Sequence, residues 1–328
     1  MSVISALRAW WAERPPAAGA AVMATGIVSV GLHLSGAETL SRAALALTVL
    51  GWLALGADFV VRLLVRRRRW MAEAKSPDAL TAVAATTVLG TRVSALGRQT
   101  LAEALLALAA LLWPVLLVPV VRHWRRRMRG AVFLCCVATQ GLAVLAATLA
   151  GAESTAWPAR TALVLFWLGL VLYALALTHF DARQVARGPG DHWIASGALA
   201  ISALAGAALL SADTARLSLW NDDDRGTLRT MTVTLLVLDL VCYLVLLVAE
   251  AARPRPGYDL RRWSTAFPMG MSGAAALSVA AAVDIPWLRG PGRVLVWVAV
   301  AVWLLVAAGA LRETLRGVLA DIRSTARR

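Results

Sequence analysis

Residues 192–211 read HWIASGALAISALAGAALLS and residues 230–249 read TMTVTLLVLDLVCYLVLLVA. Each run is long enough to cross roughly 30 Å of hydrocarbon at about 1.5 Å per residue, so both read as transmembrane helices. They differ in bulk. The first is mostly alanine, serine and glycine, whose small side chains let helices approach closely and leave room between them. The second is leucine and valine, which suit lipid contact. Together they read as a helical hairpin with an inner and an outer arm.

The same reading extends along the chain in both directions. Of the 328 residues, 59% are apolar, and the mean hydropathy of +0.69 excludes a soluble domain. Candidate spans lie at 15–34, 43–62, 79–98, 102–121, 130–149, 159–178, 192–211, 230–249, 264–283 and 293–312. Gly, Ala, Ser and Thr fill about 56% of the odd-numbered windows and about 30% of the even ones, an internal repeat of two spans. The even spans carry the bulk, in Trp113, Phe166, Trp167, residues 235–240, Trp297 and Trp303. The predicted fold is an all-α membrane protein of ten transmembrane helices in five hairpins, odd helices inside around a lumen and even helices outside. Residues 1–14 read as an N-terminal stub with no cleavable signal, 15–312 as the membrane domain and 313–328 as a basic tail.

The formal charge of +14 would suggest nucleic acid for a soluble protein, but the arginines sit in short loops between spans. About 24 of the 33 basic residues fall on the side of the two termini, including residues 66–69, 125–127, Arg183 and Arg262. By the positive-inside rule this predicts a multi-pass plasma (inner) membrane protein with both termini cytoplasmic, and no nucleic-acid partner. Cys135, Cys136 and Cys242 lie within apolar runs and act as small hydrophobes.

The sequence offers no machinery for covalent chemistry. His33, His123, His179 and His192 are scattered near span ends, so neither a metal site nor a cofactor is expected. There is no Walker loop, dinucleotide-binding glycine pattern or HExxH. The acidic run from Asn221 to Asp224 reads as a solvated loop, and no catalytic residue is assigned. Two ionisable residues fall well inside spans, Arg92 and Asp239, and they form a candidate intramembrane pair because an isolated charge in hydrocarbon is costly. Each inner span sets a hydroxyl near a glycine: Thr25 with Gly26, Thr87 with Gly90, Thr139 with Gly141, Ser196 with Gly197, and Ser272 with Gly273, to which Gly270 is added. These form the candidate pore lining; helix packing through the same residues is the alternative.

Three stretches resemble one family. Residues 16–29 read PAAGAAVMATGIVS, 87–92 read TVLGTR and 263–271 read WSTAFPMGM. They are similar to the first, third and ninth spans of the tellurite-resistance/dicarboxylate transporter family, which includes the bacterial tellurite-resistance channel and plant slow anion channels. The resemblance implies a quasi-fivefold array of hairpins around a pore, a homotrimer, and a phenylalanine plug on the ninth helix, here Phe267. The chain departs from the pattern at Gly19, where an aromatic is expected, and after Met271. Independently, Phe267 is the one large aromatic within the ninth core, and Pro268 beside it removes a helix hydrogen bond to the Ser264 carbonyl. An aromatic ring at a kink in a wall of small residues can block ions by dewetting. The functions in view are an anion channel, a proton-coupled carrier of C4-dicarboxylate, sulfite or tellurite, and a membrane scaffold without transport. The partners expected are small inorganic or organic anions and the lipid bilayer.

Overall fold

The computed structural model describes residues 19–65, 73–188, 190–213, 217–253 and 259–326. The proposed stub at 1–14 lies outside them. Among the described residues are ten long helices: α1 (Gly19–Leu34), α2 (Glu38–Val65), α3 (Thr81–Ala95), α4 (Gln99–Arg122), α5 (Leu134–Glu153), α6 (Ala156–His179), α7 (Ile194–Ala212), α8 (Asp222–Ala252), α9 (Trp263–Ala282) and α10 (Arg289–Ala326). The odd helices all start on one face of the bundle, called here the terminal face because α1 begins and α10 ends there. Short connections join α1 to α2, α3 to α4 and α5 to α6 on the far face. After α1 and α3 the turn is made by Gly36 and Gly97, at φ +90° and +76°, where a side chain would be strained.

The ring closes on itself. In order around it, α1, α3, α5, α7 and α9 each pack on the next, and α9 packs back on α1. Each even helix packs on the odd helix of its own hairpin and on the following odd helix, with α10 returning to α1. This is the five-hairpin array that the small-residue repeat predicts. Between 83 and 94% of the residues in the span windows of α5, α7 and α9 are buried, against 17 to 33% in the even helices.

Three boundaries differ from the sequence reading, each for a local reason. By length and composition, 8 of the described helices can cross a membrane alone; α3, at 15 residues, is shorter. Walled in by protein, it need not match the hydrocarbon itself. Helix α8 begins at Asp222, so the acidic run is its first turn. The Asn221 side-chain oxygen accepts from the Asp224 N–H at 2.7 Å, and three carboxylates face the positive end of the helix dipole. Helix α10 runs on to Ala326, so the segment read as a tail continues the last span.

Helices in lipid gain little from apolar contact, because lipid tails are as apolar as leucine, so specific polar contacts matter. One such contact recurs at three ring positions. The indole N–H of Trp52 on α2 donates to Thr86 on α3 at 2.9 Å, Trp113 on α4 to Thr139 on α5 at 2.9 Å, and Trp303 on α10 to Thr25 on α1 at 3.0 Å. Each threonine donates in turn to the carbonyl four residues earlier, at 2.7 to 2.8 Å, so its hydroxyl is used in both directions. The bulky residues of the even spans therefore do not all face lipid: Phe166 is fully buried and Trp113 and Trp303 reach inward, whereas Trp297 is 47% exposed.

A double-mutant cycle on Trp113→Phe and Thr139→Val tests this clamp. The expected coupling is about 0.6 kcal/mol and no more than about 1.7 kcal/mol, read from unfolding in detergent. Trp297→Phe serves as the uncoupled control. A coupling of zero would mean the indole contact contributes nothing to the ring.

Candidate functional site

Inside the ring lies a small cavity, about 20 Å³, lined by all five odd helices. Its wall is Ile27 and Val30 of α1, Thr87, Val88 and Thr91 of α3, Gly141 and Val144 of α5, Ile201 and Leu204 of α7, and Met271 of α9. That volume holds about one water. A hydrated anion does not fit. Phe267 stands one helical turn before Met271, on the same face of α9 and nearer the terminal face, and is 1% exposed. Pro268 lies inside α9, packed on Gly197 of α7, where an added Cβ would come within 3.0 Å of the proline ring. Phe267 is thus the neighbour in sequence of a close α7–α9 contact, the one between Pro268 and Gly197.

Of the residues singled out in the sequence, Thr87 and Gly141 both line this cavity and touch each other across the α3–α5 contact. The remaining hydroxyls are engaged elsewhere. Thr25 and Thr139 meet the outer tryptophans. Ser196 and Ser272 both donate to Asp239 Oδ1, at 2.6 and 3.0 Å. Gly26 lies against Val88 and Thr48, Gly90 against Leu145, Gly270 against Ile27, and Gly273 against Val296. These glycines serve close helix approach, the packing alternative weighed against a lining role.

Arg92 and Asp239 do not pair. Arg92 Nη2 donates to Glu38 Oε1 at 2.7 Å and its Nε to Ser41 at 3.0 Å, near the far face. Asp239, on α8, bridges α7 and α9 through the two serines. The separation follows from the ring, since α3 and α8 are not neighbours in it, and each buried charge takes the nearest hydroxyls and counter-ion instead. Among the described residues no three of His, Cys, Asp and Glu gather as a metal set.

One feature escaped the sequence reading. Helices α3, α5, α7 and α9 are each entered through a 3-10 turn, Pro77–Leu80, Gly130–Phe133, Asp191–Trp193 and Leu260–Arg262. At or beside these turns stand Asp78, Arg129, Asp191 and Arg261, so acid and base alternate around the terminal-face mouth of the ring. The turns pack side by side: Gly130 abuts the Asp191 backbone, and Gly190, at φ +129°, sits against the Arg261 carbonyl. The signal was present in the shared position of these four charges just ahead of each small-residue span, but it is diluted by the other loop arginines. Burial pushes the Asp78 carboxyl up, while the Ser76 hydroxyl and the charges of Arg129 and Arg261 act to lower it.

The described residues thus form a ring of five small-residue helices around an axial cavity, braced by five outer helices. The sequence signature of the voltage-dependent anion channel family matches residues 13–311, nearly the whole chain. The chain belongs to that family. The voltage-dependent anion channel family includes the tellurite-resistance/dicarboxylate transporters and the plant slow anion channels whose motifs the sequence resembles, and its members transport anions across membranes. A comparison with curated individual proteins finds no match. For a member of the voltage-dependent anion channel family, the axial cavity is the natural place to look for the conduit.

A carboxyl raised in the folded state costs stability wherever the unfolded chain is ionised, and that cost vanishes once both states are protonated. Asp78→Asn should therefore raise the apparent melting temperature near pH 7, with the advantage shrinking as pH falls towards about 4 and gone below it. Thermal unfolding followed by size exclusion at both pH values checks this. A variant no more stable than wild type at pH 7 would show that Arg129 and Arg261 already compensate the carboxylate.

Proposed function

We propose that the protein is an anion channel whose lumen runs along the ring axis and is closed by Phe267. The observation that carries this reading is the apolar axial cavity with a buried phenylalanine one turn beyond it, on the face of α9 that contributes Met271. In so narrow and apolar a lumen, an ion would have to shed its hydration and meet no water beside the ring, so the plug closes by dewetting as much as by bulk. Pro268 against Gly197 sets the ring's position, and Thr87 with Gly141 belongs to the lining. In this reading the terminal face, with most of the basic residues, is cytoplasmic, and the protein works as a homotrimer in the inner membrane.

A second reading has one observation in its favour. Asp239 receives both serine hydroxyls on one oxygen, while the other oxygen is buried without a partner among the described residues. A buried carboxyl with a free oxygen is a site for a proton, as a proton-coupled carrier of a dicarboxylate, sulfite or tellurite would need. The distinction is kinetic: a channel passes current without a pH gradient, and a carrier saturates and depends on one.

The orientation is tested with Ser218→Cys on the far-face loop, which should react with an impermeant thiol reagent added outside intact cells. Labelling only after the membrane is broken reverses the assignment.

The gate is tested by bilayer conductance of wild type, Phe267→Leu and Phe267→Ala in symmetric chloride and nitrate. Current should rise in that order, with folded protein confirmed by size exclusion. A packing phenylalanine behaves differently: its truncation costs about 3 to 5 kcal/mol in a water-soluble host and lowers the yield without opening a path. A folded Phe267→Ala protein that conducts no more than wild type removes Phe267 as the gate.

A further inference from the structure

The cavity wall offers an anion very little. Its two hydroxyls, Thr87 and Thr91, donate to the carbonyls of Ala84 and Thr87 on their own helix, at 3.0 and 2.9 Å, and the rest of the lining is apolar or glycine. A preference for anions over cations must then come from a charge held behind the wall. Arg92 follows Thr91 in the chain and lies one turn beyond Val88, another lining residue, on the flank of α3 towards α1 and α2. It is 1% exposed, and its Nη1 is buried with no partner among the described residues. A guanidinium does not lose its proton in a protein, so this charge is permanent.

The charge is also only partly cancelled. The one carboxylate beside it, Glu38, is shared with Arg42 at 3.0 Å and with His33 at 2.7 Å. One carboxylate facing two guanidiniums leaves the group net positive. A purely structural arginine pair would be expected to engage the carboxylate with both terminal nitrogens, as a fork. Here one prong is spent on Glu38 and the other on nothing. Ser29 and Ser41 donate to each other's backbone carbonyls at 2.7 Å, which ties α1 to α2 directly, with Arg92 Nε adding a bond to the Ser41 hydroxyl.

We propose that Arg92 is the selectivity-determining charge of the lumen, acting through the wall of α3 to favour anions over cations in the half of the pathway nearer the far face. This rests on the channel reading. A charge enclosed in low-dielectric protein is weakly screened, so its field reaches the lumen more strongly than that of an exposed arginine at the mouth. Glu38 then acts as the moderator of this field, not as its source.

The test is the reversal potential of the full-length protein in planar bilayers under a potassium chloride gradient, on the Phe267→Ala background and in wild type. Arg92→Gln should lower the anion-to-cation permeability ratio by about tenfold, Arg92→Lys should hold it near the starting value, and Glu38→Gln should raise it. If Arg92→Gln does not fold, Glu38→Gln alone decides, because a field origin requires the ratio to move towards anions when the negative charge is removed. An unchanged ratio in a folded Arg92→Gln protein, or a fall in Glu38→Gln, overturns the proposal and leaves Arg92 as a structural tie while the channel reading stands. Absence of current from every variant, with folded protein in the bilayer, overturns the channel reading and this inference together.

Discussion

Everything in this fold depends on satisfying polar groups where there is no water to do it. Inside the bilayer an unpaired N–H or O–H costs several kcal/mol, roughly, and apolar contact between helices earns almost nothing against lipid. The protein meets both conditions with one small device, an indole on an outer helix donating to a threonine that in turn donates to its own backbone. Used at three of the five places where an outer helix meets the next hairpin, it aligns each pair and removes two polar groups at once. Between α8 and its neighbours the same task falls to Asp239 and two serines.

Much of the architecture was legible in the sequence because packing against a helix and packing against lipid demand different side-chain volumes. Residues 192–211 and 230–249 already contained that contrast, and its recurrence gave the inner and outer rings. What the sequence could not reveal was the direction in which a hydroxyl points. Thr25 and Thr139 sit in small-residue spans like Thr87, yet only Thr87 reaches the cavity, because the outcome depends on which tryptophan of another hairpin stands nearby. The same holds for Arg92. Its partner, Glu38, lies at the start of the preceding span, and neither hydropathy nor spacing distinguishes it from Asp239. The acidic run differs from its reading as a loop for a simpler reason: Asn221 caps α8 and three carboxylates fill its first turn, and composition alone does not separate a capped first turn from a loop.

The distribution of charge fits transport of small anions. The mouth at the terminal face alternates aspartate and arginine, so it presents no continuous negative rim to an approaching anion. The cavity itself carries no charge. Fixed positive charge is kept one layer back, in Arg92, where it can bias the lumen without binding an ion tightly enough to trap it. Conduction needs this balance, since a site that holds too well does not pass current.

The last outer helix packs on the first inner one, so the bundle has no seam. In a ring without a seam, the hairpin that happens to begin the chain has no special structural standing. A break in the chain at another terminal-face connection, with α10 linked to α1 instead, would leave the same set of helix contacts available. What distinguishes the five hairpins is therefore their side chains, with the buried Phe267 in one, the buried Arg92 in another and the Asp239 carboxyl in a third. The molecule is a symmetric frame on which asymmetric function has been written hairpin by hairpin.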